Sequence, residues 1–548
     1  MFQRLDCRIG HYAILLFTWA VLCLPNLGGP SLYDIDEGKN VGAAHEMWAS
    51  LNFIVPTFNY VMRVDKPALL YWLQTGAFEL FGLNEFSGRL PSALAALVAI
   101  LTTYGLGRRM FGTTVGLLGA IVLASSISFN VAAHFANPDA LLNACMLLTM
   151  FLFWRDYERG GRGWFIWCGA ACGLAVLAKG PVGLALPAAA LLLFLSWERQ
   201  LRSLWDSRLL LGLLMFLLVA APWYVWVGAE TKWQWVFRFW QEHNVKRFDS
   251  PMENHGGSAF YYLFILVIGL TPWSPFLALT GWHSYRGLRR SDGDNTQRPA
   301  LRFLVSWIVV YLTFFSLAGT KLPNYILPIY PAVALLTARF LVHWRQGVAR
   351  IPAWTVHGCL ACVVLTGVVV SIGLLIAGGA IRPSFVRGRF LPGLEAWAWL
   401  GGLLVLGAIG TWQFVRRERR NAALATLAIA SVTFTALLIG WGSNAVERHK
   451  AARALVQAMP DDQQFRDVRV AAFDYFQPSM VFYCRREVFC LESEQQVLDF
   501  LSGPLPSYLF LTAGQWENLR EKAEVPCRLL ARRYDLYSGK DVVLVTNE

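Results

Sequence analysis

Charge is what this sequence has least of. Asp, Glu, Lys and Arg make up 15% of its 548 residues, 56% are hydrophobic, and the mean hydropathy is +0.43. That balance excludes a soluble protein of several domains, in which about a quarter of residues are charged. Processing and metal signals are scarce too. The first apolar run ends at Leu24-Pro25-Asn26-Leu27 without an Ala-x-Ala pattern, and many more runs follow it, so it reads as an anchor with its N-terminus inside rather than a cleaved signal peptide. The ten cysteines are scattered with no zinc-type Cys/His spacing, and most lie in or beside apolar stretches, where a thiol behaves as a small hydrophobe. Cys484 and Cys490 fall in a polar tail and pair only if that tail sits in an oxidising compartment. No internal repeat is present, and the runs are apolar with the charges on one rim rather than near mid-membrane, which argues against a transporter or lipid flippase. A structural scaffold leaves the outer charges described below unexplained. Nucleic acid is not an expected partner.

What is present is a succession of apolar runs, about thirteen of them, near the roughly 20 residues a spanning helix needs. They lie near residues 11–29, 90–107, 113–133, 138–154, 163–178, 181–197, 208–228, 258–281, 303–319, 323–342, 354–378, 394–414 and 421–441. The pair divided at Lys179 and Gly180 can also be one kinked segment. Alternate connections carry Arg108 and Arg109, then Arg155, Arg159 and Arg162, then Arg199, Arg202 and Arg208, a run from Arg286 to Arg302, Arg339, Arg345 and Arg350, and finally Arg416 to Arg420. The positive-inside rule makes these the cytoplasmic loops. An odd number of spans then puts the loops 30–89 and 229–257, and the tail from 443, on the outer face. Every lysine falls on that face as well.

The expected fold class is an all-α polytopic membrane protein with about thirteen transmembrane helices, residues 1–442, followed by a small outer α/β domain, residues 443–548. In the tail, RVAAFDYF, SMVFYC, SYLFLT and DVVLVT read as strands, and EQQVLDFLS and GQWENLREKA as helices. Within the first loop, the stretches from Gly38 to Leu51 and from Pro67 to Phe81 read as interfacial helices resting on the membrane. Many of the 23 tryptophans, such as Trp223, Trp226 and Trp273, fall near predicted interfaces.

The densest polar segment is SLYDIDEGKN, which sets Asp34, Asp36 and Glu37 directly after the first span. Capping of the following helix accounts well for one carboxylate and less well for three, so Asp36 and Glu37 are candidate catalytic groups. Asp139, after Pro138 in HFANPDA, is by itself a helix-start device, but it shares the membrane face of Asp36 and joins the candidates. Cations gather there too: Arg63 and Lys66 in RVDKPALLYW, Lys179 in LAKGPVGL, Arg247 in HNVKRF and Lys321 in GTKLPNYILP. Each can be a solvated loop charge. Lys179 and Lys321, however, stand between apolar spans and require an anionic partner, either a carboxylate or a bound phosphate. Tyr325 lies in the same stretch as Lys321 and counts with the substrate-binding candidates. Asp65, His243, Glu253 and His255 can meet around a divalent ion, zinc or magnesium, although their spacing matches no metal motif. No cofactor is required, because basic side chains can neutralise a departing phosphate. Acids and bases on one outer rim suit a sugar donor carried on a lipid phosphate.

At SLYDIDEGKN, RVDKPALLYW, NPDA, LAKGPVGL and KLPNYILPIYP the sequence resembles the bacterial 4-amino-4-deoxy-L-arabinose transferases of lipid A, which group with the protein O-mannosyltransferases in the GT-C class. The resemblance spans the whole apolar part, and the KLPNYILP stretch is its most specific element. It implies GT-C architecture, a multi-pass inner-membrane location with a periplasmic C-terminal domain, an undecaprenyl phosphate-linked aminoarabinose donor, a lipid A acceptor, and resistance to polymyxin. It also implies that Asp36 is the first-loop catalytic acid, Asp139 the second carboxylate and Lys66 the holder of the carrier phosphate. The alternative acceptor, a protein hydroxyl, stays open at this point.

Overall fold

The computed structural model describes residues 2–160, 164–246, 256–289, 297–383, 390–464 and 466–548. Helices dominate up to residue 447. They are α1 (Phe2–Cys23), α2 (Asp36–Ser50), α3 (Leu69–Phe81), α4 (Glu85–Phe111), α5 (Thr113–Ala124), α6 (Ile127–His134), α7 (Asp139–Tyr157), α8 (Trp164–Lys179), α9 (Val182–Trp197), α10 (Arg208–Glu230) and α11 (Gln234–Trp240). There follow α12 (Tyr261–Gly269), α13 (Leu277–Arg289), α14 (Arg298–Leu317), α15 (Tyr330–Arg345, entered by a 3₁₀ turn over Pro323–Ile329), α16 (Ala353–Gly378), α17 (Leu400–Arg416), α18 (Arg420–Thr435) and α19 (Ser443–Glu447).

Each of the apolar stretches expected to span carries helix, but length and apolarity alone qualify seven helices among the described residues. An eighth is made if α5 and α6, bent by 63° where they meet, act as one span. The segments Ile9–Cys23, Phe165–Lys179 and Val182–Trp197 are apolar but shorter. Burial orders the bundle: the apolar window in Pro323–Arg345 is 94% buried, whereas those in Arg208–Glu230 and Ala353–Gly378 are 22% buried and turn most of their apolar surface outward. A polytopic protein does this because lipid is as good a solvent for leucine as a protein core. The long α15, packed on α5, α13 and α14, is therefore the central post of the bundle.

The tail forms a five-stranded sheet from β3 (Arg469–Phe473), β4 (Phe489–Leu491), β5 (Ser507–Thr512), β6 (Arg528–Asp535) and β7 (Lys540–Thr546), in the order β4-β3-β5-β7-β6. Strands β4, β3 and β5 are parallel, and β7 joins β5 antiparallel with Phe510 opposite Leu544. Every residue of β5 is buried. Helices on both faces explain why SYLFLT shows no polar alternation. One face is covered by α20 (Ala452–Val456) and α21 (Ser479–Cys484), the other by α22 (Glu494–Leu501) and α23 (Ala513–Leu519).

Two expectations are corrected here. The stretch SMVFYC is not a strand but α21: Pro478 sets up a first helical turn, and Arg485 stops it in the left-handed region at φ 52°. Its apolar run had no helical period because Met480, Val481, Phe482 and Cys484 are all buried, some against the sheet and some against the first loop. Strands β4 and β6 went unforeseen, β6 being an arginine-rich edge. Second, α2 does not lie open on an interface. Glu37, Gly38 and all residues from Asn40 to Met47 are buried in it, clamped between α3 and α21. Helix α3 does keep an exposed apolar edge at Leu73, Leu80 and Phe81. Cys484 and Cys490 are free thiols, the first buried and the second exposed.

Candidate active site

The segment that leaves α1 reverses sharply at Ile35, whose φ of 81° and ψ of −71° put a β-branched residue in a tight turn that costs about 1–3 kcal/mol. The reversal makes Asp36 and Glu37 the first turn of α2, where carboxylates favour the positive helix end. They then part. Asp36 is exposed. Glu37 is fully buried and grips Arg89 in a fork, with Nε–Oε1 at 2.9 Å and Nη2–Oε2 at 2.8 Å. It also accepts the amides of Tyr33 and Ala136, both at 2.7 Å. Arg89 spends its remaining donors on the carbonyls of Leu27, Pro30 and Ser31. Burial alone would raise the Glu37 carboxyl, but Arg89 and the backbone donors outweigh it and hold it below the usual carboxylate range. Glu37 is thus a sealed structural knot, not the open catalytic carboxylate expected, because it is fully buried and its cation, Arg89, has every donor bonded within the chain.

Downstream, β1 (Thr57–Phe58) and β2 (Val61–Met62) form a two-residue hairpin with Asn59 and Tyr60 at φ 51° and 63°, as a type I′ turn requires. The Glu46 carboxylate on α2 pins this turn by accepting the Thr57 hydroxyl at 2.6 Å and the Tyr60 amide at 3.2 Å. The hairpin delivers Arg63, Asp65 and Lys66. Arg63 is buried, donating to Asn40 Oδ1 at 2.9 Å and lying 3.4 Å from Asp65. It ties α2 to the hairpin. Burial would raise the Asp65 carboxyl, but Arg63, His243, Lys66 and Lys39 together hold it low. Burial pushes the Tyr71 hydroxyl up to about 12, with Arg63 opposing and Asp65 and Asp36 adding to the rise, so Tyr71 feels both ends of the first loop.

Asp65 and Lys66 open into a cavity of about 100 Å³ whose other polar walls are Asp139, Lys179, His243, Asn244, Thr320 and Tyr325. Phe239, Phe314 and Phe315 supply an apolar side. Asp139 starts α7 and Lys179 ends α8, each at the helix terminus whose dipole suits its charge. The two side chains are in direct ion-pair contact. The other Asp139 oxygen accepts the Asn324 amide at 2.5 Å, and Lys179 lies 4.9 Å from the Tyr325 ring centroid. The break between α8 and α9 is made by Gly180 at φ 96°, where a Cβ would come within 2.7 Å of Phe239. Glycine lets α11 close over the cavity. His243 and Asn244 sit on a π-helical turn over Gln241–Val245, a local irregularity frequent at functional sites.

The sequence candidates therefore divide. Lys66, Asp139, Lys179 and Tyr325 meet in one cavity, with Arg63 behind it. Lys321 does not face it: its ammonium donates to the carbonyls of Ser316 at 2.8 Å and Ala318 at 2.7 Å, sealing the C-terminal end of α14. The anionic partner demanded by its surroundings is a set of carbonyl dipoles. Arg247, Glu253 and His255 lie outside the described residues. Of the metal candidates, Asp65 and His243 do meet, Oδ1 to Nε2 at 3.3 Å, but no group of three metal-binding side chains is assembled among the described residues. Sequence reasoning missed Asn324, Asn244 and the knot partner Arg89. Asn324 and Asn244 sit one residue from a named candidate, and Arg89 opens the second apolar run with no acid beside it, which were the available signals.

The family profile for dolichyl-phosphate-mannose-protein mannosyltransferase matches residues 65–226, a stretch that begins at Asp65 and takes in Lys66, Asp139 and Lys179. An undecaprenyl phosphate-α-4-amino-4-deoxy-L-arabinose arabinosyl transferase of Edwardsiella ictaluri is 29% identical over 465 residues, covering 83% of this chain and 80% of the relative. The protein of the same description in Shewanella sediminis is 26% identical over 551 residues, covering 96% and 94%. The crystal structure of ArnT from Cupriavidus metallidurans bound to undecaprenyl phosphate shares the fold, with a TM-score of 0.81 at 22% identity, covering 99% of this chain and 98% of that one. Over its core the chain is thus similar to the mannosyltransferase profile, along most of its length to undecaprenyl phosphate-aminoarabinose arabinosyl transferases, and in fold to the ArnT structure.

Proposed function

We propose that this chain is a glycosyltransferase that moves 4-amino-4-deoxy-L-arabinose from undecaprenyl phosphate to a lipid A phosphate at the outer face of the bacterial inner membrane. The observation that carries the reading is the convergence of Lys66 with the Asp139–Lys179 pair in one part-apolar cavity on the side of the bundle where the first loop lies. In the reaction the sugar C1–O bond to the carrier phosphate breaks and a bond to an acceptor oxygen forms, while the carrier phosphate keeps the electron pair. Lys66 holds that phosphate and neutralises the charge it gains. Asp139 orients Lys179 toward the same group and balances its charge when the cavity is empty.

Asp36, exposed at the first turn of α2, serves the acceptor or the amino group of the sugar. A phosphate monoester has a second pKa of about 6 and is already an anion near neutral pH. Asp36 then orients a hydrogen bond rather than removing a proton, whereas a hydroxyl acceptor would require a base. Arginine-only loops at the opposite end of the bundle support about thirteen spans, a cytoplasmic N-terminus, a transferase domain over 1–442 and a periplasmic domain over 443–548. Attaching a cationic sugar to lipid A phosphate lowers its attraction for polymyxin.

The test is transfer in vitro by the purified chain, given undecaprenyl phosphate-linked aminoarabinose and offered either lipid A or a Ser/Thr peptide. Product on lipid A alone is expected. Product on the peptide hydroxyl would overturn the acceptor assignment.

A further inference from the structure

Among the described residues the C-terminal domain brings no side chain into the cavity of Lys66 and Lys179, yet it is bonded to both limbs of the first loop that feed the site. On the limb that leads to Asp36, the Tyr483 hydroxyl accepts the Leu32 amide at 2.8 Å and the Tyr537 hydroxyl accepts the Asp34 amide at 3.2 Å. The Asp34 carboxylate in turn accepts the Ser479 amide at 2.8 Å, at the start of α21. At the start of the domain, Glu447 takes the Ser31 amide and hydroxyl, each at 2.9 Å, and Lys450 stacks its ammonium 3.9 Å from the Tyr33 ring centroid. Contact continues past Asp36: a Cβ on Gly38 would stand 2.5 Å from the Ser479 backbone nitrogen, so α2 begins flush against α21.

The second limb is the hairpin that leads to Lys66. The Asn59 side-chain amide both donates to the Val488 carbonyl at 2.9 Å and accepts the Val488 amide at 2.8 Å, adding the turn to the edge of the domain. Ile35, the strained residue next to Asp36, lies between the Tyr537 bond and the Ser479 contact, and a strained backbone persists where its surroundings over-determine it.

We infer that the C-terminal domain is the template that sets Asp36 at a fixed distance from Lys66, with Tyr483, Tyr537 and Ser479 as positioning residues for the acid and the Asn59–Val488 clamp for the lysine. The inference rests on the roles proposed above for Asp36 and Lys66. A displacement of one ångström at a reacting group can cost about a hundredfold in rate, so loss of two hydroxyls far from the cavity has a readable effect.

The experiment uses the full chain. In the double variant Tyr483→Phe and Tyr537→Phe, which keeps both rings, kcat should fall by about tenfold or more while the KM for the lipid-linked donor stays within about twofold. Asn59→Gly keeps the turn but removes the clamp, and should instead raise the donor KM. Tyr508→Phe, which removes a hydroxyl bonded to Glu548 elsewhere in the domain, should leave both constants unchanged. A wild-type kcat in the double variant, or a fall matched by Tyr508→Phe, overturns the inference. If Asp36→Asn itself transfers sugar at the wild-type rate, the assignment of Asp36 fails, and that result is separate from those of the tyrosine variants.

Discussion

Two acid–base pairs follow the same recipe in sequence, a carboxylate in the first turn of a helix and a distant cation, and end in opposite circumstances. In Glu37–Arg89 the side chains are 0% and 2% exposed, and every oxygen and guanidinium nitrogen has a protein partner. In Asp139–Lys179 they are 5% and 13% exposed and border a cavity that also holds Lys66 and Tyr325. A carboxylate whose cation has every donor bonded within the chain is fastening the chain. One whose cation still faces open space has a charge available for something that enters. The contrast says that proximity to the active site does not make Glu37 catalytic, and that Asp139 is not just a helix-start device.

The sharpest way to break the comparison is to remove one partner from each pair. Arg89→Ala strands a buried carboxylate and should cost about 3–5 kcal/mol, seen as loss of folded protein in a detergent melt. Replacing both members, Glu37→Gln with Arg89→Met, should recover part of that loss, because no charge is then buried. Asp139→Asn should leave the melt within a few degrees and lower transfer by about a hundredfold, the scale of one lost electrostatic contact in a preorganised site. A melt as damaged as that of Arg89→Ala would erase the distinction. Asp36→Asn sharpens it from the acceptor side: with lipid A phosphate as acceptor the loss should stay below the roughly 10²–10⁴ of true general-base catalysis, and a larger loss would make Asp36 a base.

The smallest effect concerns Asp34. Burial pushes its carboxyl up to about 6, with the Ser479 bond and Lys450 opposing and Asp535 adding, and with the hydroxyls of Tyr475 and Tyr537 also close by. A raised value in the folded state means the stabilising form is the protonated one. Its contribution is complete below about 4, the ordinary range of an aspartate, and is lost as pH rises through about 6. Melts of the wild type should therefore fall across that window by a few degrees, and Asp34→Asn should flatten the slope.

The sequence exposed the parts of this arrangement that depend on composition and on helix ends. The isolated lysine at Lys179, too apolar in its surroundings to stand alone, pointed to a partner that proved to be Asp139. Lys321 gave the same signal and was misread, since only the folded chain shows its ammonium turned back onto the carbonyls of its own helix end. Asp36 and Glu37 are adjacent in sequence and alike in chemistry. What separates them is Arg89, 52 residues away, and no local pattern reports that distance. The tail was read as a separate module, with β3, β5 and β7 recognised and α21 mistaken for a strand, because a helix buried on all sides has lost the period that identifies it. Its bonds to the first loop, made through tyrosine hydroxyls and backbone amides, left no trace in composition.

The central claim is that this chain places aminoarabinose on lipid A phosphate through a site built on Asp36, Lys66 and Asp139. Its most direct test is the mass of lipid A from a Gram-negative strain that lacks its own transferase, supplies the donor, and expresses this chain. The account predicts lipid A heavier by one aminopentose residue with the wild-type chain and unmodified lipid A with Asp139→Asn at equal expression. An unchanged mass with well-expressed wild-type protein would contradict it.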